Sequence, residues 1–158
     1  MSPLFHKKIV VDHSAVDHDA FANFYRFGPF LQPVAPLVVY FGGAISSDVY
    51  NARRDTEPLS LVELFEDALT AKGLESVDLL VVPCPLIGRA YPDFRSRIFR
   101  LFIDELLPRT PNPEPERMAF FGNSAGAHIA ATLAFELERV RALATTAAVG
   151  LVEAADES

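Results

Sequence analysis

One segment, Met118-Ala-Phe-Phe-Gly-Asn-Ser-Ala-Gly-Ala-His-Ile-Ala-Ala131, contains most of the information about the architecture of this chain. It joins a continuously apolar run, typical of a buried parallel strand, to an alanine-rich run with helical spacing. The sequence Gly-x-Ser-x-Gly lies at the junction. Glycines on both sides of Ser124 allow a sharp turn from strand to helix, which raises the serine hydroxyl above the sheet edge. We therefore predict that Ser124 is a nucleophile.

Other apolar runs predict the strands that surround this segment. Buried parallel strands are expected at residues 37–41, 77–82, 118–121 and, in an Ala- and Thr-rich run, 142–149. Two further runs, 9–12 and 21–27, predict edge strands joined by a polar loop rich in Asp and His.

Helix signals separate the predicted strands. Ser60-Leu-Val-Glu63 is a capping box that opens a helix, and Gly73 fits its carboxyl end. Asp93 is expected to cap a second helix that stops before Pro108, and a third is expected over 125–141.

The alternation of strands and helices predicts the α/β class. We expect a three-layer, doubly wound, mostly parallel sheet with right-handed crossovers. The proline-rich segment 109–116 is expected to be a surface connector, because proline neither continues a helix nor donates to a central strand. The whole chain, residues 1–158, is therefore read as a single domain.

Backbone amides near Ser124 form a candidate oxyanion hole. The N–H of Ala125 lies at the start of a helix, where the dipole and the unpaired amides favour negative charge. The run 37–41 leads into Gly42-Gly43-Ala44, and its strand should lie beside that of the serine. We expect the amides of Gly43 and Ala44 to be the other donors.

Composition excludes several classes of function. The net charge is −7 and the pI is about 5.0, so a nucleic-acid partner is not expected. Glycine-rich phosphate loops are absent, no cofactor is indicated, and the Asp/His-rich loop is read as a polar hairpin rather than a metal site. A single cysteine, Cys84, and the lack of a long apolar run predict a cytoplasmic protein with no membrane partner.

The segments Phe102-Ile-Asp-Glu-Leu-Leu-Pro108 and 115–131 together resemble the centre of an α/β-hydrolase esterase. The similarity extends over about 37–149. It is strongest to the esterase group that includes S-formylglutathione hydrolase, feruloyl esterases and enterochelin esterases, followed by hormone-sensitive-lipase-like esterases. The resemblance implies that Ser124 is the nucleophile and that Ala125, Gly43 and Ala44 supply the oxyanion hole. Phe41 departs from the histidine usually found before the glycine turn.

The same resemblance predicts that the C-terminal strands and the catalytic acid and base loops are lacking. A triad in this fold runs Ser, Asp or Glu, then His, yet the only histidine after Ser124 is His128, one helical turn away. His6, His13 and His18 lie near the first strand, which four strand spacings of about 4.8 Å place roughly 19 Å from the serine strand. A histidine from a partner chain is one solution, since an early sheet edge invites pairing into a homo-oligomer.

We therefore predict a serine hydrolase of the carboxylic-ester type, acting on a small-molecule ester through an acyl-enzyme on Ser124. Two alternatives stay open. One is a non-catalytic binding or interaction protein that retains a hydrolase core. The other is a fragment of a longer esterase, which would expose apolar surface around 142–152 and self-associate.

Overall fold

The computed structural model of the protein describes residues 5–11, 20–28, 35–45, 59–73, 76–85 and 100–146. Six strands of these residues form a single sheet. They are β1 (Phe5–Val11), β2 (Ala20–Phe27), β3 (Leu37–Ile45), β4 (Val77–Pro85), β5 (Met118–Asn123) and β6 (Val140–Thr146). Their spatial order is β1-β2-β4-β3-β5-β6. β1, β2 and β4 pair antiparallel, whereas β4, β3, β5 and β6 are parallel, so the predicted mostly parallel sheet is confirmed.

Each predicted strand has a counterpart among the described residues, although β1 begins earlier than predicted and β3 and β4 extend further. β2 is not an edge strand, because it pairs with β4 as well as β1. β6 begins at Val140, where helix was expected. The predicted loop between β1 and β2 and residues 147–149 lie outside the described residues.

Within the described ranges, two α-helices and one irregular helical segment flank the sheet. α1 is Leu59–Lys72 and α2 is Ala125–Glu136. Between β4 and β5, a π-helical segment at Leu101–Leu106 continues into a single 3-10 turn at Leu107–Arg109. Among the described residues, no helix combines the length and the apolar character that a bilayer crossing requires.

The helix ends differ from the predicted ones for local reasons. α1 starts at Leu59, so Ser60 lies in its first turn rather than before it, while Gly73 ends it with φ +65° as predicted. Pro108 lies inside the 3-10 turn, near its start, where a missing N–H leaves no helical bond unmade. The predicted cap Asp93 lies outside the described residues.

α2 is shorter than its sequence suggests. Leu137 is extended, with φ −109° and ψ 113°, and its N–H donates to the carbonyl oxygen of Leu133 at 3.1 Å. Three residues later Val140 pairs with Met118 of β5. Sheet pairing therefore overrides the helical tendency of residues 137–141.

Apolar side chains fill two layers, one on each face of the sheet. The larger cluster packs α2 and the π-helical segment on one face, with Phe41, Phe102 and Phe120 in mutual edge or tilted ring contact. The smaller cluster packs Val62 and Phe65 of α1 on the other face. The helices thus cover both faces, which confirms the predicted three-layer α/β architecture.

A buried polar network fastens the amino ends of the parallel strands. Asp78 is fully buried and accepts two hydrogen bonds from Arg26, at 2.7 and 2.9 Å. These bonds hold the pKa of Arg26 above its ordinary value, against the opposing effect of burial. Asn112 donates its amide to Asp78 at 3.1 Å and to the carbonyl oxygen of Ala35 at 2.8 Å.

The burial of Asn112 shows that the prediction of a surface connector at 109–116 is wrong in part. Asn112 and Thr110 are only 6% and 5% exposed, so the connector is partly interior. The Thr110 hydroxyl donates to the carbonyl oxygen of Leu107 at 2.9 Å and accepts the N–H of Asn112 at 3.2 Å. The connector therefore links the start of β4 to the segment that leads into β3.

We expect Asp78→Ala to lower the free energy of unfolding by about 3 kcal/mol, because it leaves the largely buried Arg26 guanidinium without its counter-ion. Asn112→Ala should cost about 1 to 3 kcal/mol, since the carbonyl oxygen of Ala35 and the carboxylate of Asp78 each lose the hydrogen bond from the Asn112 amide. Urea denaturation of both variants checks these values. Asp104→Ala, at an exposed carboxylate, is the control and should change stability by about 0.5 kcal/mol or less. Equal effects of Asp104→Ala and Asp78→Ala would contradict the role of the network.

Candidate active site

Ser124 lies on a tight turn between β5 and α2. Its backbone has φ 56° and ψ −118°, and among the described residues it is the one non-glycine residue with positive φ. Such a conformation costs about 1 to 3 kcal/mol and persists only where the surrounding structure imposes it. Ser124 is exposed, at the carboxyl edge of the parallel strands. The predicted sharp strand-to-helix turn is therefore present.

The two glycines of the motif are required by close backbone contacts. A Cβ on Gly122 would overlap the backbone of Gly126 and Ala127. A Cβ on Gly126 would overlap the backbone carbonyl groups of Phe41 and Gly42 at the end of β3. The first turn of α2 thus packs directly on the backbone of both strands.

Hydrogen bonds from β6 and α2 fix the turn. The N–H of Ser124 donates to the carbonyl oxygen of Thr146 at 2.9 Å, and the carbonyl oxygen of Ser124 accepts the N–H of Ala127 at 3.0 Å. The Thr146 hydroxyl donates to the Asn123 side-chain oxygen at 3.0 Å. Nothing in the sequence pattern indicated this role of Thr146, because it follows from the register of β6 against β5.

The residues predicted for the oxyanion hole lie on two neighbouring elements. Ala125 is the first residue of α2, so its N–H is one of those for which a helix has no internal acceptor. Gly43 and Ala44 were expected in a turn after the strand, but they belong to β3, which continues to Ile45.

A bulge separates this end of β3 from the rest of the strand. The pairing of β3 with β4 shifts between Phe41 and Ala44, and the pairing of β3 with β5 stops at Phe41 and Gly122. Bulges change the direction of a strand and release its backbone groups from the ladder. Gly43 and Ala44 therefore lie at the same sheet edge as Ser124, on the neighbouring strand.

The described residues include two histidines, one on β1 and one on α2. His6 is on β1, four positions from β5 in the sheet, where its Nε2 lies 2.9 Å from the Asn23 side-chain oxygen and its ring stacks on Tyr25. His128 is on α2, one turn after Ser124 and partly exposed. His13 and His18 lie outside the described residues. The structure thus separates His6 from the serine, as the strand order predicts.

The described part of the chain also shows no group of three or more His, Cys, Asp or Glu side chains positioned to hold a metal ion. Cys84 is on β4, in register with Ala44 at the carboxyl edge. Asp12, Asp17 and Asp19, in the Asp/His-rich loop, lie outside the described residues.

The strained turn predicts an unusual stability effect. Ser124→Gly should raise the free energy of unfolding by about 1 kcal/mol, because glycine relieves a strain of about 1 to 3 kcal/mol and costs about 0.5 to 1 kcal/mol in chain entropy. Ser124→Ala keeps the Cβ and should leave stability within about 0.5 kcal/mol. Chemical denaturation of both variants provides the comparison. A glycine variant less stable than the alanine variant would contradict the strain assigned to Ser124.

Solved structures share this arrangement of strands and helices. Enterochelin esterase from Shigella flexneri matches 92% of this chain with a TM-score of 0.63 and 14% sequence identity. Ferric enterobactin esterase (fes) from Salmonella typhimurium matches 92% of it, with a TM-score of 0.57 and 16% identity. A dienelactone hydrolase-like promiscuous phosphotriesterase from metagenomic libraries matches 91%, with a TM-score of 0.54 and 16% identity.

The matched regions are only parts of those proteins. This chain spans 37% of each of the two bacterial esterases and 59% of the phosphotriesterase. No protein-family model matches the sequence, and no curated protein matches it in sequence. Structural similarity at such low sequence identity establishes the fold and does not establish the activity. The described residues of this chain have the α/β-hydrolase fold as far as its sixth strand.

Proposed function

We propose that the protein is a serine hydrolase of the carboxylic-ester type, with Ser124 as its nucleophile. The observation that carries the proposal is the backbone of Ser124, held at φ 56° and ψ −118° by two glycine contacts and by the bond to Thr146. Strain of this kind concentrates at functional residues. The esterases of the same fold, among them the enterochelin esterase, support the ester class.

The reaction we propose has two halves. The Ser124 oxygen attacks the ester carbonyl carbon while a base takes its proton, which gives a tetrahedral intermediate with a negative oxygen. Collapse of the intermediate releases the alcohol, which receives that proton, and leaves the acyl group on Ser124. Water then attacks the acyl-enzyme by the same route and releases the acid.

The oxyanion of both halves would be stabilised by the N–H of Ala125 together with that of Gly43 or Ala44. Ala125 adds the positive end of the α2 dipole. Gly43 and Ala44 lie in the bulged end of β3, the strand next to β5, which supports this assignment. Each such donor contributes about 100- to 1000-fold to the rate in comparable hydrolases.

Neither His6 nor His128 of the same chain is positioned to act as the base. His6 is about 19 Å away by strand count, and a proton transfer requires contact of about 3 Å. His128 lies on α2, one helical turn after Ser124. At this position its side chain is expected alongside the helix rather than over the serine hydroxyl. We therefore propose that a histidine of a partner subunit completes the site, as pairing at an open sheet edge would allow.

The position of these two histidines also favours a second candidate function. A serine without a base is a weak nucleophile, and a protein that retains the core without the base would act by binding. In that case Ser124 and the amides around it would hold a ligand carboxylate or carbonyl without cleaving it.

Labelling with a fluorophosphonate separates the two candidates without a choice of substrate. We expect the intact mass of the purified protein to rise by one adduct, and Ser124→Ala to remove the adduct. Ser76→Ala is the matched control, because Ser76 precedes β4 at the opposite edge of the sheet, and it should keep the label.

A protein that melts cooperatively and takes up no adduct after prolonged exposure has no activated serine, which would overturn the hydrolase proposal in favour of binding. Labelling that persists in Ser124→Ala would place the nucleophile at another residue.

A further inference from the structure

The two edges of the described sheet differ in character. β1 forms one edge and β6 the other, and each is seven residues long. An unpaired edge is a template for another strand unless charges or coverage protect it. The two edges can therefore be compared for their ability to accept a second copy of the chain.

The β1 edge is protected. It carries the basic run His6-Lys7-Lys8, whose side chains are exposed. Arg109 also contacts this strand, since it donates to the carbonyl oxygen of Val10 at 2.8 Å and its own carbonyl oxygen accepts from Lys7 at 2.7 Å. If two β1 strands paired antiparallel about their centres, Lys8 would face Lys8, and opposed like charges are destabilising.

The β6 edge has the opposite character. Its residues from Arg141 to Thr146 are all exposed, although Ala142, Leu143 and Ala144 are apolar. Leu143 is 43% exposed, and Phe135 on the neighbouring helix α2 is 88% exposed. These are two of the three large hydrophobic side chains exposed in the described part of the chain, the third being Val10.

We propose that β6 is a dimer interface, at which the β6 strands of two copies pair antiparallel and join two sheets into one. Pairing about the central residue places Leu143 opposite Leu143 of the partner subunit and Ala142 opposite the partner's Ala144. The single charge of the strand, Arg141, faces the partner's Thr145, so no like charges meet. Such an isologous contact closes after two copies, whereas the protected β1 edge resists further growth of the sheet.

The register has a consequence for the serine turn. Thr146, which accepts the N–H of Ser124, would lie opposite the partner's Val140. The incoming strand would then lie two strand spacings, or roughly 10 Å, from the strand that leads to Ser124. The second subunit thus borders the candidate active site, although the interface does not depend on any activity of Ser124.

Sedimentation equilibrium of the full chain tests the proposal. We expect a mass of twice 17.4 kDa. Leu143→Lys should convert it to the monomer, because it places two like charges opposite each other at the centre of the interface. Val10→Lys makes the same change at a similarly exposed position on the other edge and should leave the dimer intact.

A covalent measurement guards against a variant that fails to fold. Residues directly opposite in antiparallel strands have Cα atoms about 4.5 to 5.5 Å apart, within the range that a disulfide spans. Leu143→Cys should therefore cross-link under mild oxidation, whereas Val10→Cys should not, and Cys84 is common to both. A monomeric native chain, or a broad range of aggregates with equal cross-linking of both variants, would overturn the proposal and leave the β6 edge to another partner.

Discussion

The close packing of the first turn of α2 on the strand backbones is the constraint on which the rest of the structure depends. Gly122 and Gly126 bring helix and strand backbones together where no side chain fits. That approach forces the chain to reverse within one residue, and Ser124 takes the strained conformation that results. The same contact joins β5 to the bulged end of β3, so the serine and the amides of Gly43 and Ala44 share one edge. A single packing requirement therefore determines both the turn from β5 into α2 and the geometry of the candidate site.

Much of the fold could be predicted, because the central strands and their turn have strong local signals. The continuous apolar runs of β3, β4 and β5 predict parallel strands that helices cover on both faces. The glycines around Ser124 identify the turn that follows β5. The prediction was wrong where pairing between distant segments decides the outcome. Residues 137–141 have no local stop signal, yet pairing of Val140 with Met118 ends α2 early. β2 becomes interior for the same reason, since its neighbour β4 lies far along the chain.

The candidate site was predictable to a smaller degree. Ser124 and Ala125 follow from the motif, whereas the bulge that holds Gly43 and Ala44 inside β3 depends on the register with β4. Thr146 and Asn112 had no signal at all, because an isolated polar residue shows its role only through its partners. Which group acts as the base is equally inaccessible to local reasoning. A proton acceptor is defined by a distance of about 3 Å, and residues far apart in sequence can satisfy it.

The clamp formed by Arg26, Asp78 and Asn112 has a kinetic consequence. Arg26 is separated from Asp78 by 52 residues, and Asn112 from Asp78 by 34, so the network needs three distant segments in place at once. Closing such long loops costs entropy before any contact repays it, so we expect these bonds to form late in folding. Interactions formed after the transition state slow unfolding more than they accelerate folding. We therefore expect the clamp to slow unfolding of the assembled sheet, and to act at the amino ends of the strands, opposite the edge that carries Ser124.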